Sequence, residues 1–116
     1  ANTFNVTVLN KSGANHYYGM GSLKAYYIAG LEANTLVLTK GLTYRFNQSH
    51  FSNEGHPLRL YLDVDKTTEY TTGVTSVGTP GTQGAYTQIA VVTDPPDKLY
   101  YQCSNHGYMG GEITFA

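Results

Sequence analysis

Three residues with sulfur or nitrogen donor atoms stand close together near the end of the chain, at Cys103, His106 and Met109. Because they are spaced three residues apart, a thiolate, an imidazole and a thioether fall within one short segment. Soft sulfur ligands and imidazole suit copper, and two histidines, one cysteine and a long axial methionine form the blue electron-transfer sites. The spacing therefore indicates a metal site that needs one more histidine from elsewhere in the fold.

The histidine that completes this set is predicted from the alternation of an apolar run. Leu58, Leu60 and Leu62 share one face of a predicted strand, and His56 falls on the same face just before it. His50 is the alternative ligand, because the same parity also turns it inward. It stands, however, in a stretch that is typical of a loop, so His56 is the preferred interpretation.

Other interpretations of these residues stay open. Zinc or another metal is an alternative occupant, the site could be a metal-free relic, and Met109 could be a core side chain. A nucleophilic pair of Cys103 and His106 is a further alternative. No third orienting group and no oxyanion element is evident in the sequence, so catalysis is the least favoured of these readings.

Strands must position these residues, because period-two alternation of apolar and polar residues dominates the chain. The predicted strands cover approximately residues 4–8, 24–29, 36–39, 42–47, 58–63, 85–91, 99–103 and 112–115. Lys40 and Gly41 are interpreted as a tight hairpin turn. Residues 10–23, with His16 as a loop residue, and residues 66–84 are interpreted as surface excursions. The pattern predicts an all-β fold, a Greek-key β-sandwich of about eight strands that forms a single domain over residues 1–116.

The composition excludes several classes of protein. Charged residues make up 13% of the 116 residues and the formal net charge is −1, which argues against a nucleic-acid-binding protein. No apolar run is long enough for a membrane span. With one cysteine, no disulfide can form within the chain. The first residues lack the features of a signal peptide, so we expect either that a leader has been removed or that the chain is a piece of a longer protein.

The Cys103-x-x-His106-x-x-Met109 motif between two strands, with a distant upstream histidine, resembles the cupredoxin family. The loop is most similar to the amicyanin/plastocyanin type, with the short His–Met spacing of the amicyanin branch. This resemblance implies a cupredoxin-like fold that binds one copper ion in a type 1 site, with His56, Cys103 and His106 as equatorial ligands and Met109 as the axial one. It also implies a non-enzymatic electron carrier with a redox partner protein and an extracytoplasmic location. Two positions depart from the family pattern: Asn105 replaces a common proline and Pro57 replaces the usual asparagine, for which Asn53 is a candidate substitute.

A second resemblance covers residues 55–59, 68–74, 84–86 and 101–111, which are similar to cupredoxin-like modules of large marine bacterial and phage surface proteins. It implies a structural module of an extracellular, fibre or virion assembly, bound to copies of itself or to a larger assembly, in which any metal is only structural. The near-zero net charge favours this module, because it promotes association. The complete ligand set with an axial Met109 favours the electron carrier, with an electron port around His106 and Tyr108.

Overall fold

The computed structural model describes residues 2–15 and 17–116, and within them the chain forms ten strands and one 3-10 helix. The strands are β1 (Asn2–Asn10), β2 (Lys24–Ile28), β3 (Leu31–Glu32), β4 (Leu36–Leu38), β5 (Thr43–Asn47), β6 (Leu58–Tyr61), β7 (Val74–Val77), β8 (Tyr86–Ala90), β9 (Leu99–Cys103) and β10 (Gly111–Phe115). The 3-10 helix covers Phe51–Asn53. The predicted all-β sandwich is confirmed, with two more strands than the alternation indicated.

The strands form two sheets. A six-stranded sheet has the order β3-β2-β1-β5-β8-β7, and a four-stranded sheet has the order β4-β10-β9-β6. Most neighbours are antiparallel, but β1 runs parallel to β5 and β4 runs parallel to β10. The described part of the chain contains no helix with the length and apolar character that crossing a bilayer requires.

One apolar core lies between the two sheets. Its buried residues are Val6, Val8, Tyr26, Ile28, Leu36, Leu38, Tyr44, Phe46, Leu58, Leu60, Ile89, Val91, Leu99, Tyr101, Cys103, Met109 and Ile113. In the longer strands alternate residues point into it, as the pleat of a β-strand requires, whereas the edge strands β3 and β7 are mostly exposed. The rings of Phe46 from β5 and Tyr101 from β9 stack at 6.2 Å and join the two sheets directly. Cys103 and Met109 belong to this core and are fully buried.

Three local predictions are wrong. The turn at Lys40 and Gly41 does not close a hairpin, because β4 belongs to the four-stranded sheet and β5 to the six-stranded one. The excursion at residues 66–84 contains β7, an edge strand whose exposed residues gave no alternation to detect. The strand that begins at Leu58 ends at Tyr61, so Leu62 is 43% exposed although its parity placed it inward.

Truncation at Leu60 and Leu62 tests this end of β6. Leu60 is fully buried, so Leu60→Ala should lower the free energy of unfolding by about 2–5 kcal/mol through lost burial and a residual cavity. Leu62→Ala should cost about 1 kcal/mol or less, because that side chain already contacts water. Urea denaturation of both variants measures the difference. Equal losses would mean that β6 continues beyond Tyr61 with Leu62 in the core.

Candidate metal centre

The pairing of β6 with β9 brings the two halves of the candidate site together. Cys103 is the last residue of β9 and lies opposite Leu58, the first residue of β6, in an antiparallel register. His56 precedes β6 by two residues and therefore reaches the same end of the sheet. The ligand loop, residues 104–110, then leaves β9 and carries His106 across that end before β10 begins.

His56, Cys103 and His106 form a cluster of metal-binding side chains. The Sγ of Cys103 lies 3.7 Å from Nδ1 of His56 and 3.4 Å from Nδ1 of His106. One donor atom from each residue lies within 4.8 Å of the other two. The imidazole rings are tilted by 43° with their centroids 4.7 Å apart. Both rings therefore present Nδ1 toward the thiol.

These distances fit a metal held by all three side chains. Metal–nitrogen and metal–sulfur bonds of about 2.0 and 2.3 Å, separated by roughly 110–120°, place nitrogen and sulfur about 3.6 Å apart. The two observed Sγ–Nδ1 distances lie close to that value. The donor set, with one sulfur and two imidazole nitrogens, suits copper or zinc. Both the distances and the donor atoms therefore fit a site in which the three side chains bind one metal ion.

The cluster is buried on one side and open on the other. Cys103 has no exposed surface, His56 is half-buried and His106 is exposed. Burial lowers the pKa of His56, and the charges of His106 and Lys24 lower it further. A lowered pKa favours the neutral imidazole at neutral pH. That is the form that can offer a lone pair to a metal ion.

Asn105 connects the thiol to the loop that carries His56. Its backbone N–H donates to the Sγ of Cys103 at 3.4 Å, and its side-chain Nδ2 donates to the carbonyl of Gly55 at 3.1 Å. A proline at this position would remove the N–H. Asn105 thus links the two loops, because its side chain binds the segment before His56 while its N–H binds the thiol.

The backbone around His56 is fixed by buried polar side chains. Gln48 donates to the carbonyl of His56 at 2.8 Å and accepts from the N–H of Leu58 at 2.9 Å. The hydroxyl of Tyr26 donates to the same His56 carbonyl at 2.7 Å. Asn53 accepts a hydrogen bond from Gln48 and donates one to the carbonyl of Val6, so it connects the segment that carries His56 to β1. Sequence reasoning considered Asn53 but missed Gln48. The signal was available, because Gln48 continues the inward parity of Tyr44 and Phe46.

Met109 is held at the other end of the ligand loop. Its backbone N–H donates to Oε1 of Gln102 at 3.0 Å, and its carbonyl accepts from the N–H of Tyr26 at 2.7 Å. Gln102 also accepts from the N–H of Gly110, so one buried amide fixes two consecutive residues. The Met109 side chain lies in the same buried cluster as Cys103. Its role as an axial ligand stays a prediction.

The alternative ligand His50 lies elsewhere. It is exposed, it precedes the 3-10 helix as its N-cap, and its Nδ1 lies 2.7 Å from the hydroxyl of Ser52. Its ring stacks on Phe51 at 4.5 Å. His50 therefore has a local structural role and does not join the cluster at Cys103. His16, predicted as a loop residue, lies outside the described residues.

A pair of glycine substitutions tests the close packing of the ligand loop. A Cβ at Gly110 would lie 1.5 Å from the carbonyl oxygen of Tyr101, whereas a Cβ at Gly107 would meet no atom closer than 4.0 Å. We expect Gly110→Ala to lower the free energy of unfolding of the metal-free protein by about 3 kcal/mol or more through overpacking. Gly107→Ala is the matched control and should be tolerated. Chemical denaturation measures both, and a neutral Gly110→Ala would contradict this packing.

Comparisons with known proteins agree with the fold. No protein-family profile and no curated protein matches the sequence. Solved structures of rusticyanin do match. The structure from Thiobacillus ferrooxidans has 15% identity and a TM-score of 0.51, and the His143Met and Met148Gln variants each have 14% identity and a TM-score of 0.51. Each match covers 100% of this chain and 79% of the rusticyanin chain. At this identity the likeness shows the fold alone, and the chain has the fold of the blue copper cupredoxins.

Proposed function

We propose that this protein binds one copper ion in a type 1 site and carries single electrons to and from a redox partner protein. One observation carries the proposal. Within a cupredoxin fold, His56, Cys103 and His106 converge, and the Nδ1 atom of each imidazole faces the thiol. In this proposal these three residues are the equatorial ligands and Met109 is the axial one. Rusticyanins, which share the fold, are copper proteins.

The chain's own residues would provide a site that changes little between oxidation states. Bound copper supplies the one-electron couple. Gln48 and Tyr26 fix the backbone at His56, Gln102 fixes it at Met109, and Asn105 donates to the thiol. Because these contacts are made by the protein alone, the donor atoms are positioned before a metal binds. Hydrogen bonds to the sulfur and the apolar surroundings are the features that tune the potential of such a site.

The exposure of the cluster favours electron transfer over catalysis. Cys103 has no exposed surface, so a substrate cannot approach its sulfur directly. His106 is exposed and lies in contact distance of that sulfur, so electrons can enter and leave through its ring. An enzyme that used Cys103 and His106 as a nucleophilic pair would need the opposite arrangement, an accessible sulfur.

The proposal also includes where the protein works and whether it forms part of a larger assembly. Cupredoxins work outside the cytoplasm, so we expect this protein to be extracytoplasmic. The alternative, a structural module of an extracellular, fibre or virion assembly, stays a prediction from the sequence. The near-zero net charge favours it in the sequence, and the contacts of the described residues add no specific support for it.

Addition of Cu(II) should produce an intense visible absorption band, because the Cys103 thiolate would transfer charge to the metal. Cys103→Ser should abolish the band, and His56→Ala should weaken or shift it. His50→Ala is the matched control and should leave the band unchanged. Absorption spectra and metal analysis of the four proteins provide the measurement. A colourless protein that binds zinc but not copper would contradict the proposal.

Copper should also stabilise the folded protein, because the metal would join the ligand loop to the segment that carries His56. At a free metal concentration a thousandfold above Kd, binding to the native state alone adds about 4 kcal/mol. For a domain of this size this corresponds to an increase in Tm on the order of 10 °C. Calorimetry of the metal-free and copper-loaded proteins measures the shift, and Cys103→Ser should show little of it. Identical Tm values with and without copper would contradict this prediction.

A further inference from the structure

The ammonium group of Lys66 lies against both ends of the Cys103-x-x-His106 segment. Its Nζ donates to the carbonyl of Cys103 at 2.8 Å and to the carbonyl of His106 at 2.9 Å. A lysine ammonium has three donors, and bonds from a charged donor are shorter and stronger than neutral ones. A single side chain from a distant loop therefore bridges two of the three residues in the cluster.

The turn that presents Lys66 is itself well defined. Lys66 has a φ of +60°, and its N–H bonds to the carbonyl of Asp63 at 3.3 Å. The Asp63 carboxylate accepts from the backbone N–H of Thr67 at 2.8 Å and from the Thr67 hydroxyl. A non-glycine residue adopts the left-handed region only where its surroundings hold it there. The turn therefore fixes the backbone from which the Lys66 side chain extends.

A second contact joins the same turn to the ligand loop. The hydroxyl of Tyr108 donates to the carboxylate of Asp65 at 2.9 Å, and this bond raises the pKa of Tyr108. The neighbouring residues Asp65 and Lys66 thus bind the ligand loop at separate points. Elsewhere the loop is connected through Ser104, whose N–H donates to Pro57, and through Gly107, whose carbonyl accepts from Ser22. The contacts at Asp65 and Lys66 come from a different segment of the chain, the turn at residues 63–67.

We infer that Lys66 is a positioning residue for the metal centre: its ammonium group holds Cys103 and His106 at their spacing, and its charge favours the reduced state. The inference rests on the proposed function for its second half only. Reduction by one electron, supplied by a donor protein or a soluble reductant, lowers the positive charge of the site by one. A fixed cation beside the ligands repels the reduced site less than the oxidised one, so it raises the reduction potential.

The test compares Lys66→Met, which removes the charge but keeps an unbranched side chain, with Lys66→Arg, which retains the charge and several donors. In the metal-free protein, Lys66→Met should increase hydrogen exchange of the amides of Ser104 and Asn105 about tenfold, because these N–H groups are bonded at the segment that the two charge-assisted bonds hold. In the copper-loaded protein it should lower the reduction potential, so that less protein is reduced by a fixed ratio of a soluble donor couple. Lys66→Arg should keep both the exchange rate and the reduction potential close to those of the wild-type protein.

Lys40→Met is the matched control for loss of one positive charge. Lys40 follows β4 at the end where Leu38 pairs with Phe115, at the opposite end of β10 from the ligand loop. Lys40→Met should change neither the hydrogen exchange of the loop nor the reduction potential. Unchanged exchange in metal-free Lys66→Met would overturn the positioning role, and an unchanged potential would overturn the role of the charge. If the wild-type protein binds no copper, the proposed function fails, yet the exchange experiment still decides whether Lys66 holds the loop.

Discussion

The antiparallel register between β6 and β9 is the constraint on which the candidate site depends. Leu58 lies opposite Cys103, and this pairing places the residues just before β6 beside the residues just after β9. A shift of one residue would turn the Cys103 side chain to the other face, because successive side chains on a strand alternate. The burial of Leu58, Leu60 and Tyr101 in the core holds this register. The packing of the sandwich therefore also sets the distance between His56 and Cys103.

Buried amide side chains carry this order from the strands into the loops. Gln48 makes hydrogen bonds to two backbone groups beside His56. Gln102 accepts hydrogen bonds from the backbone N–H groups of Met109 and Gly110. Loop backbone that is buried needs such partners, because an unpaired N–H or carbonyl costs free energy. Among residues 2–15 and 17–116, no buried side-chain nitrogen or oxygen lacks a hydrogen-bond partner. The buried side-chain polar groups that support these loops are thus all paired.

Alternation allowed most strands and the approach of His56 to Cys103 to be predicted, whereas His106 was predicted from its spacing of three residues from Cys103. Period-two alternation reports which side chains face the core, and Cys103 and His56 both follow that alternation. What it could not report was the sheet to which a strand belongs. Leu36 and Tyr44 lie in runs with the same pattern, separated by a short turn, but they join different sheets because β4 pairs in parallel with β10. Parallel pairing joins distant parts of a chain, and alternation contains no information about it.

Contacts between loops were the other part that the sequence did not reveal. Nothing in the residue types near Lys66 indicates that its ammonium group reaches Cys103, because that contact depends on a left-handed turn and a sequence separation of 37 residues. Asn105 shows the same limitation. Against the family pattern, Asn105 stood in place of a common proline, and it was the other departure, Pro57 in place of the usual asparagine, that left the support of the loop unexplained. In the structure its amide binds the carbonyl of Gly55, so the connection between the two loops is made from the ligand loop instead. The same physical requirement, that the two loops be joined beside the thiol, is met by a different residue.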